Sequence, residues 1–227
     1  MKKDFLSEYP LLNSNRFKII TNGFDPQQFL TAIPTPRRKF TITYTGVFTH
    51  DRENILNNFL KALKLVIEQI PKIKQNVEIK FIGSFPIKSK LLMQNLKLES
   101  AVKIIGQVSH QKSLEAQLNS DLLLSMTPRR EITGKIFEYI KAGRPIFALI
   151  QSGSYAGEIV KKTNTGKVVM SDDINGIKNA LEYFYDQFNK NGEIEYSPNL
   201  KEVDNFNWKY LTGNFAEIFD KLTKNQN

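Results

Sequence analysis

The feature that most limits what this chain can fold into is its changing hydrophobic period. Through its middle, short apolar runs of strand character alternate with segments of helical period, about every 20 to 30 residues. Phe40–Thr45 (F-T-I-T-Y-T) alternates and is β-branched, as a strand does. Residues 53–70 place Ile55, Leu56, Phe59, Leu63, Val66, Ile67 and Ile70 on one helical face, and Pro71 stops that helix. Further strands are expected at Val77–Ile82, 102–105, 121–126, 145–150 and Gly166–Met170. Helices are expected over 88–98, 109–118, 153–162, 172–188 and 206–222, and one opens after Thr133. Residues 1–15 read as polar and irregular, 17–25 as a short strand with an Asn22–Gly23 turn, 31–39 as a Pro-containing linker, and 189–204 as a polar loop. Such alternation predicts an α/β fold: a doubly wound, Rossmann-like parallel sheet. Ligands of these sheets bind beyond the carboxyl ends of the strands, where Gly46, Gly83 and Gly106 fall.

The most informative stretch is 125–145, S-M-T-P-R-R-E-I-T-G-K-I-F-E-Y-I-K-A-G-R-P. An apolar run precedes it and another follows. Ile136, Phe137 and Ile140 form one helical stripe between Thr133, at an N-cap position, and Gly143 and Pro145, which end the helix. The pattern is a βαβ unit. A helix start leaves backbone N–H groups free and favours an anion. Gly134 lets a phosphate approach that backbone, and Lys135 adds a positive charge. Glu138 follows three residues on, about 60° round the axis and roughly 4.5 Å along it. A phosphate at the helix tip therefore brings an attached ribose to the Glu138 carboxylate, an acceptor suited to a diol. The competing reading is that Lys135 and Glu138 are the solvated face of an amphipathic helix.

Several chemistries are excluded. No G-x-G-x-x-G follows a strand. A P-loop ending at Gly134–Lys135 would need glycine where Arg129 stands, and Ser or Thr where Ile136 stands. No G-x-S-x-G is present. With no cysteine there is no disulfide framework or thiolate site, and His50 and His110 are too far apart for a metal motif. The net charge of +9 permits contact with nucleic acid, an anionic membrane surface or an anionic ligand. Its lysines are scattered apart from the small cluster at 36–39, so nucleic acid is not the expected partner. No apolar run reaches the roughly 20 residues of a membrane span, and the N-terminus has no signal-peptide core. The expected location is cytoplasmic, with peripheral contact at the inner membrane face as an option.

Taken together, K-I-I-T-N-G-F-D, T-I-T-Y-T-G-V-F, V-K-I-I-G-Q-V-S-H, G-K-I-F-E-Y-I-K-A-G-R-P-I and the closing N-F-N-W-K-Y-L resemble, in order, the C-terminal, donor-binding half of GT-B-fold, group 1 retaining glycosyltransferases. The resemblance runs from about Phe17 to Leu222. It implies that Glu138 accepts the ribose hydroxyls, and that Thr133, Gly134 and Lys135 face the diphosphate. Gly46 would let the phosphates approach the first strand, Gln107 and Val108 would lie against the base, and Arg52 would fill the basic position after that glycine. Residues 1–39 become a lead-in segment and linker, and 40–227 a nucleotide-sugar-binding domain closed by a C-terminal helix.

The chain departs from the family pattern in two ways. The family often carries a second glutamate one residue further from the ribose-binding one than Glu131 is from Glu138, and Arg130 holds that place. Glu131 is the acid of this chain that falls next to that place, and the resemblance offers it as the sugar-contacting acid. The N-terminal acceptor-binding domain of a full enzyme is also missing from this sequence. The implied substrate is a nucleotide diphosphate sugar, with UDP expected on frequency alone, and with no tightly bound cofactor or metal. Catalysis would rest on stabilisation of the leaving diphosphate by Lys135, Arg52 and the helix tip. Two alternatives stay open: a non-catalytic nucleotide-binding or regulatory module of the same fold, and a nucleotide-sugar epimerase.

Overall fold

The structure, a computed structural model, describes residues 2–29, 39–128 and 132–224. Its centre is a six-stranded sheet, all parallel, in the order β3-β2-β1-β4-β5-β6. The strands are β1 (Phe40–Thr45), β2 (Val77–Ile82), β3 (Val102–Gly106), β4 (Leu122–Thr127), β5 (Ile146–Ile150) and β6 (Gly166–Met170). The helices are α1 (Lys2–Glu8), α2 (His50–Gln69), α3 (Ile73–Asn76), α4 (Ile87–Asn95), α5 (His110–Leu118), α6 (Gly134–Ala142), α7 (Tyr155–Thr163), α8 (Ile174–Asn191), α9 (Leu200–Asp204) and α10 (Trp208–Lys224). The expected doubly wound, Rossmann-like architecture is what forms.

Each face of the sheet has its own core, which is why the central strands are apolar or closely paired on both sides. On one face, Ile55, Leu56, Phe59, Leu63 and Val66 of α2 and Ile177, Leu181 and Phe184 of α8 pack on Ile42, Ile79, Leu124 and Leu149. On the other, Ile136, Phe137 and Ile140 of α6 and Ile159 and Val160 of α7 pack on Leu123, Ile146 and Ala148. The chain leaves β1 toward β2 and leaves β4 toward β5, so the strand order reverses between two adjacent central strands. The loops after β1 and β4 therefore flank a crevice at the switch point.

The strand-end glycines Gly46, Gly83 and Gly106 have φ of 152°, 125° and 80°, values that side-chain-bearing residues rarely adopt. Gly83 has a second reason to be glycine, because a Cβ there would collide with the Gly46 carbonyl oxygen. The helix stop after α6 is as expected: Gly143 is left-handed (φ 65°), and its N–H bonds the Ile140 carbonyl.

The flanking segments differ from the sequence expectation. Residues 17–25 form no strand, only an isolated bridge from Phe24 to Asn207, and Asn22–Gly23 makes no turn. Gly23 is needed instead for close approach, since a Cβ there would strike the Phe206 carbonyl oxygen. Phe24 N–H bonds that same oxygen at 2.9 Å, and Trp208 N–H bonds the Phe24 carbonyl at 3.0 Å. This clasp ties the N-terminal segment to the start of α10. Residues 1–15 are not wholly irregular, for they include α1 and a 3-10 turn at Ser14–Arg16 begun by the Asn13 side chain. Within 189–204, α8 runs on to Asn191, and α9 forms where Asn199 caps the Glu202 N–H. Most of the expected 31–39 linker lies outside the described residues.

Gly83→Ala tests the strand-end geometry. It should lower the free energy of unfolding by about 3 kcal/mol or more, from left-handed strain plus the overlap with Gly46. A denaturant midpoint within error of the parent would contradict it.

Candidate functional site

The candidate site is assembled where α5 and α6 meet the carboxyl end of β1. The β1 pattern T-I-T-Y-T puts Thr41, Thr43 and Thr45 on one face. All three are buried, so their polar atoms need partners. Thr41 N–H donates to Asp121 Oδ2 at 2.8 Å. The Thr43 hydroxyl pairs with that of Ser120, which also reaches the Ala116 carbonyl. Thr45 N–H donates to the Tyr139 hydroxyl oxygen at 2.8 Å, and the two hydroxyls lie 3.2 Å apart. Burial pushes the Tyr139 hydroxyl well above its ordinary pKa, so it stays protonated and can both accept and donate.

At the top of this ladder stands Glu138, its side chain 20% exposed. Oε2 accepts from Lys135 Nζ at 2.7 Å and from Gln117 Nε2 at 3.1 Å, and Oε1 lies 3.4 Å from His110 Nε2. Gln117 Nε2 also reaches Thr45 Oγ1 at 3.3 Å. The carboxylate therefore connects through one buried amide to the last residue of β1, directly before Gly46. Glu138, Gly134 and His110 line a hollow of about 200 Å³ with Asn22, Phe24 and Trp208 among its other walls. The carboxylate is neither sealed in the core nor turned away from a cavity.

The other expected site residues fall around this point. Thr133 is the N-cap of α6, but its side chain makes no capping bond, so the cap residue itself supplies no acceptor to the first N–H groups of the helix. Gly134 is exposed, and a Cβ there would meet nothing within 4 Å. Protein packing therefore does not require glycine at this position. Arg52 is not the surface charge common at a helix start: it is 9% exposed, and its Nη1 donates to the Val47 carbonyl at 2.9 Å, over the loop after Gly46. Gln107 is exposed and Val108 half-buried, both in the loop that leads to His110. Glu131 lies outside the described residues. Among those described, no group of three His, Asp or Glu side chains converges as a metal site.

Sequence reasoning missed His110, Gln117, Tyr139 and Trp208. His110 had a signal, since it follows the Ser109 cap directly, and Ser109 Oγ does accept from Lys112 N–H. Gln117 and Tyr139 had none, because each earns its place by a partner distant in sequence.

The family profile described as glycosyl transferases group 1 matches residues 39–187, most of the chain. The protein belongs to this family, and its fold is that of one Rossmann-like half of a GT-B glycosyltransferase. Similar solved structures include a glycosyltransferase from Rickettsia africae, with TM-score 0.78, 17% identity, and coverage of 98% of this chain and 62% of that one. The Anabaena protein HepE, solved with UDP and glucose, has TM-score 0.72 and 17% identity, covering 97% of this chain and 60% of that one. Sucrose-phosphate synthase from Thermosynechococcus elongatus has TM-score 0.69 and 17% identity, covering 98% and 57%. The chain thus spans between 57% and 62% of the length of these three structures. No curated protein sequence matches it significantly. No helix among the described residues is long and apolar enough to cross a membrane.

Tyr139→Phe isolates the polar ladder. It leaves the buried Thr45 N–H without its acceptor and should cost about 1–3 kcal/mol of stability. Chemical denaturation that shows no loss would mean the Tyr139–Thr45 bond contributes nothing net.

Proposed function

We propose that residues 40–227 are the donor-binding half of a glycosyltransferase that uses a nucleotide diphosphate sugar, with residues 1–39 leading into it. The observation that carries this reading is the placement of Glu138. Its half-buried carboxylate stands in a hollow beyond the carboxyl ends of the strands, one helical turn from a helix tip with no side-chain cap and open space over Gly134. In this reading the tip of α6, with Thr133, Gly134 and Lys135, takes the diphosphate, and Glu138 takes the ribose. Lys135 can do this without giving up Glu138, because an ammonium has three donors and the ion pair uses one. Gly46 admits the phosphates beside β1. Arg52, anchored on Val47, adds positive charge on that side. Gln107 and Val108 border the base.

The chemistry asked of these groups is electrostatic. The bond from the sugar's anomeric carbon to the diphosphate oxygen breaks, and its electron pair leaves with the diphosphate. A bond to an acceptor hydroxyl oxygen forms, and the proton that hydroxyl loses passes to the departing diphosphate. Positive charge and free N–H groups at the leaving oxygens lower the barrier. The acceptor would sit against an N-terminal acceptor-binding domain outside this sequence. An exposed apolar stripe on α10, with Phe215, Phe219 and Leu222, is available for such a contact. UDP is the first donor nucleotide to try, supported by the UDP found in HepE.

Calorimetric titration of the whole chain with UDP tests the reading. Binding is expected, and Glu138→Ala should weaken it about tenfold or more, the value of charge-assisted bonds to the ribose. Silence at millimolar UDP and GDP would favour a non-catalytic module instead. The purified chain should transfer little or no sugar, and robust turnover would refute the assignment of the acceptor to a separate domain.

A further inference from the structure

We propose that Gln117 is a positioning residue that makes the donor site sensitive to the ribose hydroxyls. This rests on the donor-site reading of Glu138. Three donors surround that carboxylate, and they differ in how firmly they are held. Lys135 is 32% and His110 53% exposed at the side chain, and Lys135 is long and flexible. Gln117 is fully buried on the inner face of α5, so packing fixes where its amide points. That amide reaches Glu138 Oε2 at 3.1 Å, Thr45 Oγ1 at 3.3 Å and Ser113 Oγ at 3.4 Å.

The pattern of contacts also sorts the two carboxylate oxygens. Gln117 and Lys135 both load Oε2, while Oε1 has only the long 3.4 Å approach of His110 among the contacts described. Holding Oε2 to the protein turns Oε1 outward as the acceptor for a ribose hydroxyl. The same amide reaches Thr45 at the end of β1, a second contact that fixes its orientation.

A further observation separates this role from a structural one. Gln117 Oε1 is buried with no hydrogen-bond partner. A buried carbonyl without a donor costs stability, which offsets what the Nε2 bonds to Thr45 and Ser113 contribute, so an apolar side chain of similar size should suit the fold about as well. The amide therefore adds little to stability and is suited to aiming Glu138.

Calorimetry with UDP and 2′,3′-dideoxy-UDP, run beside thermal unfolding, tests this on the whole chain, on Gln117→Met and on Gln117→Leu. The parent should bind UDP about tenfold or more tighter than the dideoxy analogue. In either variant that preference should fall toward one, through weaker UDP binding and unchanged binding of the analogue, while the melting temperature stays level or rises. A variant that keeps the parent's full preference overturns the role of Gln117 and leaves the donor site standing. Equal weakening of both ligands together with a lower melting temperature also overturns it, as a packing effect. A parent that does not distinguish the two ligands overturns the donor-site reading and this inference with it.

Discussion

A half-threonine strand buried on both faces at the centre of the sheet is the constraint on which the site depends. β1 has a full complement of parallel neighbours in β2 and β4, and its threonine face lies beneath α5 and α6. Burying Thr41, Thr43 and Thr45 would be costly without partners. Asp121, Ser120 and Tyr139 supply them. Because hydrogen bonds demand particular distances and directions, this ladder sets how α5 and α6 sit on the strand more narrowly than apolar packing alone would.

Glu138 inherits that precision. It is the residue beside Tyr139 on α6, and its carboxylate meets the same Gln117 amide that reaches Thr45. A carboxylate on a freely solvated helix face would be mobile and fully hydrated. Here Lys135 and Gln117 hold one of its oxygens near the carboxyl end of β1, beside the switch-point crevice where a doubly wound sheet offers a place for a ligand. The clasp between Phe24 and the start of α10 brings Trp208 and the 22–25 segment to the same hollow, so the two ends of the chain complete its wall.

The α/β class, the positions of the sheet strands and the helix stops were legible because they rest on local rules: apolar period, glycine at strand ends, proline and glycine after helices. The edges were less so. Residues 17–25 have strand composition but no strand beside them, and their single bridge is to Asn207. α9 depends on one Asn199 cap within a polar run that otherwise reads as loop. At the candidate site, the nearness of Lys135 to Glu138 was legible from helical spacing. Arg52 was legible as a charge but not as a buried one, since its burial comes from folding back onto Val47.

The sequence by itself determined the order of elements and the polar residues at the start of α6, since both are set by neighbours within a few positions. Which of two readings applied to Glu138, solvated helix face or held carboxylate, was decided only by the tertiary structure. Its partners Gln117 and His110 stand 21 and 28 residues away, and Thr45, joined to it through Gln117, lies 72 residues from that amide. No local rule spans such separations. Only the crossover that carries α5 over β1 brings those atoms within reach of one another.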